Sequence, residues 1–396
     1  MRNPVLQDGA VAFTNGAIVD VGRFDDIVRR HGDFAVQELG RSVLLPGLIN
    51  AHTHLELSNA SCGDKWEGRF LDWIFNLPQR GSLDEAALRS SIESATADGI
   101  EQCLKFGTTC VGDISQYPQF SRNVLADSPL RGVSYAEVLG SGKRRPRFDR
   151  LFRYAEQQPK GVGRFDFGVS PHAPYSVDLA GYKQSLSLSR RQSVPLATHL
   201  AEWQEESEFL LSHTGMFREV IDLIGSWDDS IETYPAPPIR FAQAIGLLDE
   251  PAVLAHVNYC EDEELAMLSA GRASVVYCPR THRYFGHRPH RWQDMLKRGI
   301  NVAVGTDSCA SSPNLNLVDE IRLLHEISAD TLVELLWQLI TINAARALGK
   351  NDLGELSPGM AADFIAFEID SANPLIEILE TAQAPSHLWI AGEQLR

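Results

Sequence analysis

The stretch Ser-Val-Leu-Leu-Pro-Gly-Leu-Ile-Asn-Ala-His-Thr-His at 42–54 is an apolar run that closes on two histidines. Residues i and i+2 of a strand project to the same face, so a strand here sets the imidazoles of His52 and His54 side by side, as a chelate for one transition metal requires. Four other short runs bring candidate ligands to strand ends: Ser170-Pro171-His172, His199-Leu200-Ala201-Glu202, Ala255-His256-Val257-Asn258 and Gly305-Thr306-Asp307-Ser308. Imidazole nitrogen and carboxylate oxygen together suit Zn²⁺, Fe²⁺ or Mn²⁺, and a cluster without Cys is a poor redox thiol site. The pattern is that of a mononuclear metal hydrolase.

Beyond this stretch, from about residue 100 on, short β-branched or apolar runs alternate with longer segments of helical period. That is the order of a parallel α/β sheet. The spacing predicts eight strands: Leu44–His54, Thr108–Ile114, Gly132–Val138, Asp166–Ser170, Pro195–Leu200, Ala252–His256, Ser274–Cys278 and Asn301–Gly305. Eight strands with ligands at their C-terminal ends match the α/β class and a (β/α)8 TIM barrel, whose active sites occupy that face. The two chain ends differ from the middle. Residues 9–16 end in Asn15-Gly16, a tight hairpin signal, and residues 353–396 show a turn followed by alternation. Neither end could bury a core alone, so they are expected to pair as one small β-sandwich, residues 1–45 plus 350–396, beside a metal-dependent hydrolase barrel at 46–349.

The chain carries 36 basic against 52 acidic residues, a net charge of −16, with no basic stripe beyond Lys143-Arg144-Arg145. Nucleic acid and anionic membranes are not expected partners. The six cysteines show no paired metal or redox spacing and fit reduced thiols in a cytosolic protein. No apolar signal-peptide core follows Met1, and no apolar run approaches membrane-spanning length. A soluble, cytoplasmic protein with a small-molecule partner is expected, with a homodimer left open.

Six runs follow one another along the chain: Pro-Gly-Leu-Ile-Asn-Ala-His-Thr-His-Leu-Glu-Leu-Ser at 46–58, Ser-Pro-His-Ala-Pro-Tyr-Ser at 170–176, Thr-His-Leu-Ala-Glu at 198–202, Leu-Ala-His at 254–256, Val-Gly-Thr-Asp-Ser at 304–308 and Gly-Glu-Leu-Ser-Pro-Gly-Met-Ala-Ala-Asp at 354–363. In this order they make a chain that resembles the amidohydrolase superfamily. The resemblance is to its branch of aromatic-ring deaminases and chlorohydrolases, which includes adenosylhomocysteine, guanine and aminodeoxyfutalosine deaminases, and it covers nearly the whole chain. It implies a single divalent metal, zinc ahead of iron or manganese, held by His52, His54, His199 and Asp307, with His256 beside the metal's water. Binuclear relatives use a carboxylated Lys at the end of the fourth strand, where this chain reads Ser170-Pro171-His172.

The chemistry expected from these types is hydrolytic. A Lewis-acidic metal brings the pKa of its water toward neutrality. Asp307 can bind the metal through one oxygen and take the water's proton with the other, while His256 orients that water and steadies the developing oxyanion. Glu202, three residues past a ligand, is expected to protonate the ring nitrogen as metal-bound hydroxide attacks the adjacent carbon, and then to help ammonia leave. Helix capping is its alternative reading, and the leading one for Glu205 and Glu206. His172, held between two prolines, is expected to contact the substrate, as its counterpart does in relatives. The resulting expectation is a metal-dependent hydrolytic deaminase of an amino-substituted N-heterocycle of purine nucleoside, purine base or pterin type. A chlorohydrolase or cyclic-amide hydrolase on the same metal site, and a non-catalytic scaffold of the same fold, are the alternatives.

Two segments bear on substrate identity. In the loop 59–81, Trp66, Phe70 and Trp73 form an apolar stripe if the segment is helical. Core packing is the leading reading, and Trp73 as an aromatic wall for a flat heterocycle is the second. The segment 278–290 holds three His and three Arg, with Thr281-His282 where many relatives have Ser-Asn. There Arg280 and His282 are assigned to a carboxylate, phosphate or ribose group of the substrate, against a solvated basic loop as the alternative.

Overall fold

The computed structural model describes residues 5–63, 66, 68, 70–78, 80–159, 161–229, 231, 234–328 and 330–396. The N-terminal residues 1–4 and parts of the loop 59–81 lie outside them. Eight parallel strands carry the fold: β1 (Leu48–Thr53), β2 (Thr108–Ser115), β3 (Arg131–Val138), β4 (Phe165–Pro171), β5 (Ala197–Leu200), β6 (Val253–His256), β7 (Ser274–Tyr277) and β8 (Val302–Val304). β1 to β4 pair in chain order, as do β5 to β8. Single parallel bridges, Val169 to Leu196 and Thr53 to Asp307, join the two halves on both sides and close the sheet into a (β/α)8 barrel.

The strands are short and apolar because they are covered on both faces; β1 and β2 are buried along their whole length. One buried cluster takes Ile49, Cys110, Val133, Ala197, Val253, Val276 and Ala303 from seven of the eight strands, side chains that only a closed cylinder brings together. Helices return the chain between strands, with their starts set by local chemistry. Asp84 accepts the Ala87 N–H at the head of Glu85–Lys105, and Asp178 accepts the Gly181 N–H at the head of Leu179–Gln192.

The single strand expected over 44–54 is in fact two. Ser42–Pro46 joins an antiparallel sheet with Phe364–Glu368, His387–Ile390 and Glu393–Gln394, and the chain passes through Gly47 into β1. A Cβ at Gly47 would lie 2.3 Å from Thr109 Oγ1, so the crossing between the two sheets needs glycine. Against the antiparallel sheet packs the hairpin Gly9–Thr14 and Ala17–Arg23, turned at Asn15 and Gly16, both with positive φ. Ile18, Phe364 and Trp389 share a buried cluster with Val11 and Phe13, completing a small β-sandwich from both chain ends. The C-terminal stretch is not all strand and turn: Pro374–Thr381 is a helix tied to the barrel's last helices, Trp337 donating its indole N–H to Leu375 O at 3.2 Å. Five of the six cysteines, Cys103, Cys110, Cys260, Cys278 and Cys309, are buried. Among the described residues no helix is long and apolar enough to cross a membrane.

Candidate metal centre

The C-terminal ends of β1, β5, β6 and β8 converge. His52 is the fifth residue of β1, and His54 follows its end in extended backbone (φ −123°, ψ 85°), so the two rings stand 5.0 Å apart at 87°. His199 of β5 faces them, its Nε2 3.2 Å from His54 Nε2. The opposite nitrogens are anchored on carbonyls, His54 Nδ1 on Ile114 O at 3.0 Å and His199 Nδ1 on His172 O at 3.1 Å. A carbonyl only accepts, so Nδ1 carries the proton on both rings and Nε2 the lone pair. Two facing lone pairs repel unless a cation lies between them. Their separation is close to the roughly 3.3 Å between ligands of a tetrahedral zinc with Zn–N near 2.0–2.1 Å. Both nitrogens of His52 are buried with no hydrogen-bond partner among the described residues. Asp307 Oδ1 stands 3.8 Å from His52 Nε2 and 3.7 Å from His54 Nε2. Burial, then the neighbouring imidazoles, hold His52 and His199 well below the usual histidine range, so the carboxylate approaches a neutral His52 ring without forming an ion pair. This donor set fits one divalent cation.

The backbone is bent to deliver these groups. Ala201, His256, Val257 and Asp307, at the ends of β5, β6 and β8, all have φ between 50° and 71°, a region that non-glycine residues enter only when their surroundings impose it. For Asp307 the surroundings are explicit. Thr53 Oγ1 donates to its carbonyl at 2.9 Å, Oδ1 accepts the Ser308 N–H at 2.8 Å, and Oδ2 accepts the Ser311 hydroxyl at 3.1 Å. His256 is held from behind, its carbonyl accepting from His290 Nε2 at 2.9 Å. Gly305 lets β8 lie against His52, since a Cβ there would come 2.6 Å from the His52 carbonyl oxygen.

Glu202 enters the same space, with Oε1 3.7 Å from His256 Nε2. Its turn is fixed by Glu206, whose carboxylate accepts the backbone N–H groups of Ala201, Glu202 and Trp203 at 3.0, 2.7 and 3.1 Å, and by Asn258 Nδ2, which donates to the Glu202 carbonyl at 3.1 Å. Glu206 thus ties the turn that precedes the helix Glu205–Ser212 to the helix's first turn, and the Glu202 side chain takes no part in capping it. Burial pushes the Glu202 carboxyl well above the ordinary range, and the charges of Asp307 and Glu206 add to the effect. A carboxyl kept neutral can donate a proton. His172 also reaches the site, its ring 5.0 Å from that of His199 and its Nδ1 2.6 Å from Ser176 Oγ.

Two substrate-contact expectations, Arg280 and His282, do not hold as drawn. The segment 278–290 is not a mouth loop at its start but the helix Pro279–Phe285, with residues 279–282 buried. Arg280 turns into the fold: its Nε donates to Glu320 Oε1 at 2.6 Å, and its other donors go to Asn314 Oδ1, Asn314 O and Asn316 O. Its guanidinium is spent on a buried ion pair, since Glu320 is fully buried. His282 is likewise buried and binds the Arg288 carbonyl at 2.8 Å. Trp73 donates its indole N–H to Ala310 O at 2.9 Å and packs on Phe70 and Phe285, inside an aromatic cluster that meets the site through Trp203. Arg280→Met should therefore cost stability and not specificity. Leaving Glu320 buried and unpaired should lower unfolding free energy by about 3–5 kcal/mol. Chemical denaturation checks this, and an added Glu320→Leu change should recover part of the loss.

Other residues of the site escaped the sequence reading. Glu137, on β3, offers a carboxylate oxygen within 4.8 Å of donor atoms of His172 and His199. Its signal was an acid inside an otherwise apolar strand run, Val-Ser-Tyr-Ala-Glu-Val at 133–138. Glu56 follows His54 by two residues and accepts from Ser115 Oγ and the backbone N–H groups of Gln116 and Tyr117, tying the end of β1 to that of β2.

The chain is similar to known deaminases in sequence and in fold. The 5'-deoxyadenosine deaminase of Methanopyrus kandleri is 26% identical over 382 residues, covering 90% of this chain and 82% of that protein. The crystal structure of Helicobacter pylori aminofutalosine deaminase in complex with methylthio-coformycin superposes with a TM-score of 0.85 at 25% identity, over 99% of this chain and 96% of that one. An adenosine deaminase from Xanthomonas campestris with bound zinc shares the fold, with a TM-score of 0.80 at 22% identity over 98% and 88% of the two chains. The model of the Amidohydrolase family matches residues 43–395, nearly the whole length, and the chain belongs to that family.

Proposed function

We propose that the protein is a metal-dependent hydrolytic deaminase of a purine nucleoside, with His52, His54, His199 and Asp307 holding one divalent cation, zinc by its donor set. The observation that carries the reading is the Glu202 carboxyl. Its side chain is 12% exposed, burial and the nearby acids raise its pKa, and it is aimed beside His256 by a turn that Glu206 pins, just past the His199 strand end. Hydrolysis at an aromatic ring carbon needs a proton on the adjacent ring nitrogen, and Glu202 is the group placed to give it. The names of the relatives support the purine nucleoside class.

When bound, such a cation supplies hydroxide at neutral pH by Lewis acidity. The chain's own residues do the rest. Asp307 takes the water's proton, its backbone locked by Thr53 and its Oδ2 by Ser311. His256, whose pKa burial pushes down to about 4, is neutral and hydrogen-bonds the same water. Glu202 protonates the ring nitrogen, a C–O bond forms at the adjacent carbon, and the proton held by Asp307 passes to the exocyclic amine. The C–N bond then breaks, ammonia leaves, and the proton on the attacking oxygen passes to Glu202 as the ring carbonyl forms.

The test is an ammonia-release screen with metal-loaded protein. The panel is adenosine, 5'-deoxyadenosine, methylthioadenosine, adenosylhomocysteine, aminodeoxyfutalosine, guanine, cytosine and pterins. Release from at least one purine nucleoside is expected. Silence across the panel, with about one equivalent of metal bound, would overturn the reading.

A further inference from the structure

Glu137 is an acid of the centre that the mechanism above leaves unused. It is 2% exposed, and its Oε1 has no hydrogen-bond partner among the described residues. The neighbouring buried acid, Glu56, shows the contrast, since its carboxylate is filled by Ser115, Gln116 and Tyr117. A buried carboxylate with an empty acceptor position is costly unless something brings it a donor.

The adjacent histidines cannot be that donor. Ser176 spends its hydroxyl proton on Ala173 O at 3.1 Å, so the 2.6 Å contact between His172 Nδ1 and Ser176 Oγ places the ring proton on Nδ1 and leaves His172 Nε2 bare. His199 has Nδ1 on the His172 carbonyl and Nε2 on the face shared with His54. At the ends of β3 and β4 the site thus presents two acceptors side by side; the Arg147 guanidinium acts on Glu137 by its charge, and its Nη2 donates to Gln116 Oε1 at 2.9 Å. With both His199 nitrogens committed, the pair is also too few for a second cation. What answers two adjacent acceptors is a pair of neighbouring O–H donors.

We infer that Glu137, with the bare nitrogen of His172, receives the vicinal hydroxyls of a ribosyl substituent, so that the enzyme takes ribonucleosides and discriminates against free bases, pterins and sugars that lack the 2'- or 3'-hydroxyl. The inference rests on the deaminase reading and narrows it. Binding energy from the sugar, remote from the reacting carbon, then supports the chemical step only for substrates that carry the diol.

The test compares adenosine with 2',3'-dideoxyadenosine on the wild-type holoenzyme and on Glu137→Gln, which keeps the size and changes an acceptor to a donor. The wild type should prefer adenosine by at least about ten-fold in kcat/KM. The variant should lose roughly 10- to 100-fold on adenosine, the worth of a hydrogen bond to a charged group, and under about three-fold on the dideoxy compound. Metal content should stay the same. Equal losses on both substrates, no wild-type preference, or a fall in metal per chain would each overturn the inference and leave the deaminase reading standing. If the wild type releases no ammonia from either compound, that reading fails for adenosine. Calorimetric binding of the same pair then decides the role of Glu137 by itself: a preference for adenosine that Glu137→Gln abolishes supports it, and equal affinities overturn it.

Discussion

His54→Ala is expected to remove metal and turnover together. The His54 ring faces His199 at 3.2 Å and Asp307 at 3.7 Å, and apart from these it holds only the Ile114 carbonyl. Its loss removes one of the four protein donors proposed to hold the cation, and ligand deletion costs metal affinity directly. Metal content should fall from about one equivalent per chain to a small fraction of that. Forfeiting several kcal/mol of transition-state stabilisation should take turnover down by on the order of 10³ or more. The site is assembled by strand ends and not by this side chain, so circular dichroism should show the fold retained. Near-stoichiometric metal in the folded variant would remove His54 from the ligand set.

Strand parity made the core of this site readable from sequence. His-Thr-His at the end of a buried run admits few geometries, and the rings do stand 5.0 Å apart. The barrel was legible for a similar reason, because apolar runs alternated with helical ones at the spacing of βα units. What the pattern hid was any change of partner within a run. Residues on both sides of Gly47 are apolar and buried, so periodicity cannot show that the chain leaves one sheet for another there. Arg280 failed for a related reason. A local window shows three arginines among histidines, and the carboxylate that claims the first of them, Glu320, lies forty residues on. Glu137 hid inside a strand because one acid in a buried run reads as alternation. The left-handed residues Ala201, His256, Val257 and Asp307 were invisible as well. None is glycine, and their conformations come from tertiary hydrogen bonds, not from local preference.

Glu202→Gln should separate metal binding from proton transfer. The amide keeps the length and shape of the side chain, and the turn beneath it is held by Glu206 and Asn258 through backbone groups that the change leaves alone. Glu202 is not among the clustered metal-donor atoms of His52, His54 and His199, or of His52, His256 and Asp307, so metal should stay at the wild-type level. Glutamine cannot give up a proton to a ring nitrogen or take it back. Turnover should therefore fall by on the order of 10² or more, the usual worth of a positioned acid or base. The loss should appear in kcat more than in KM, because the proton is needed only as the ring carbon is attacked. A substrate whose ring nitrogen needs less help should be hurt less, and 6-chloropurine riboside, with halide in place of the amine, is the convenient probe. Near-wild-type release of ammonia by the variant would return Glu202 to a purely structural place at the head of its helix, and with it the observation on which the deaminase assignment rests.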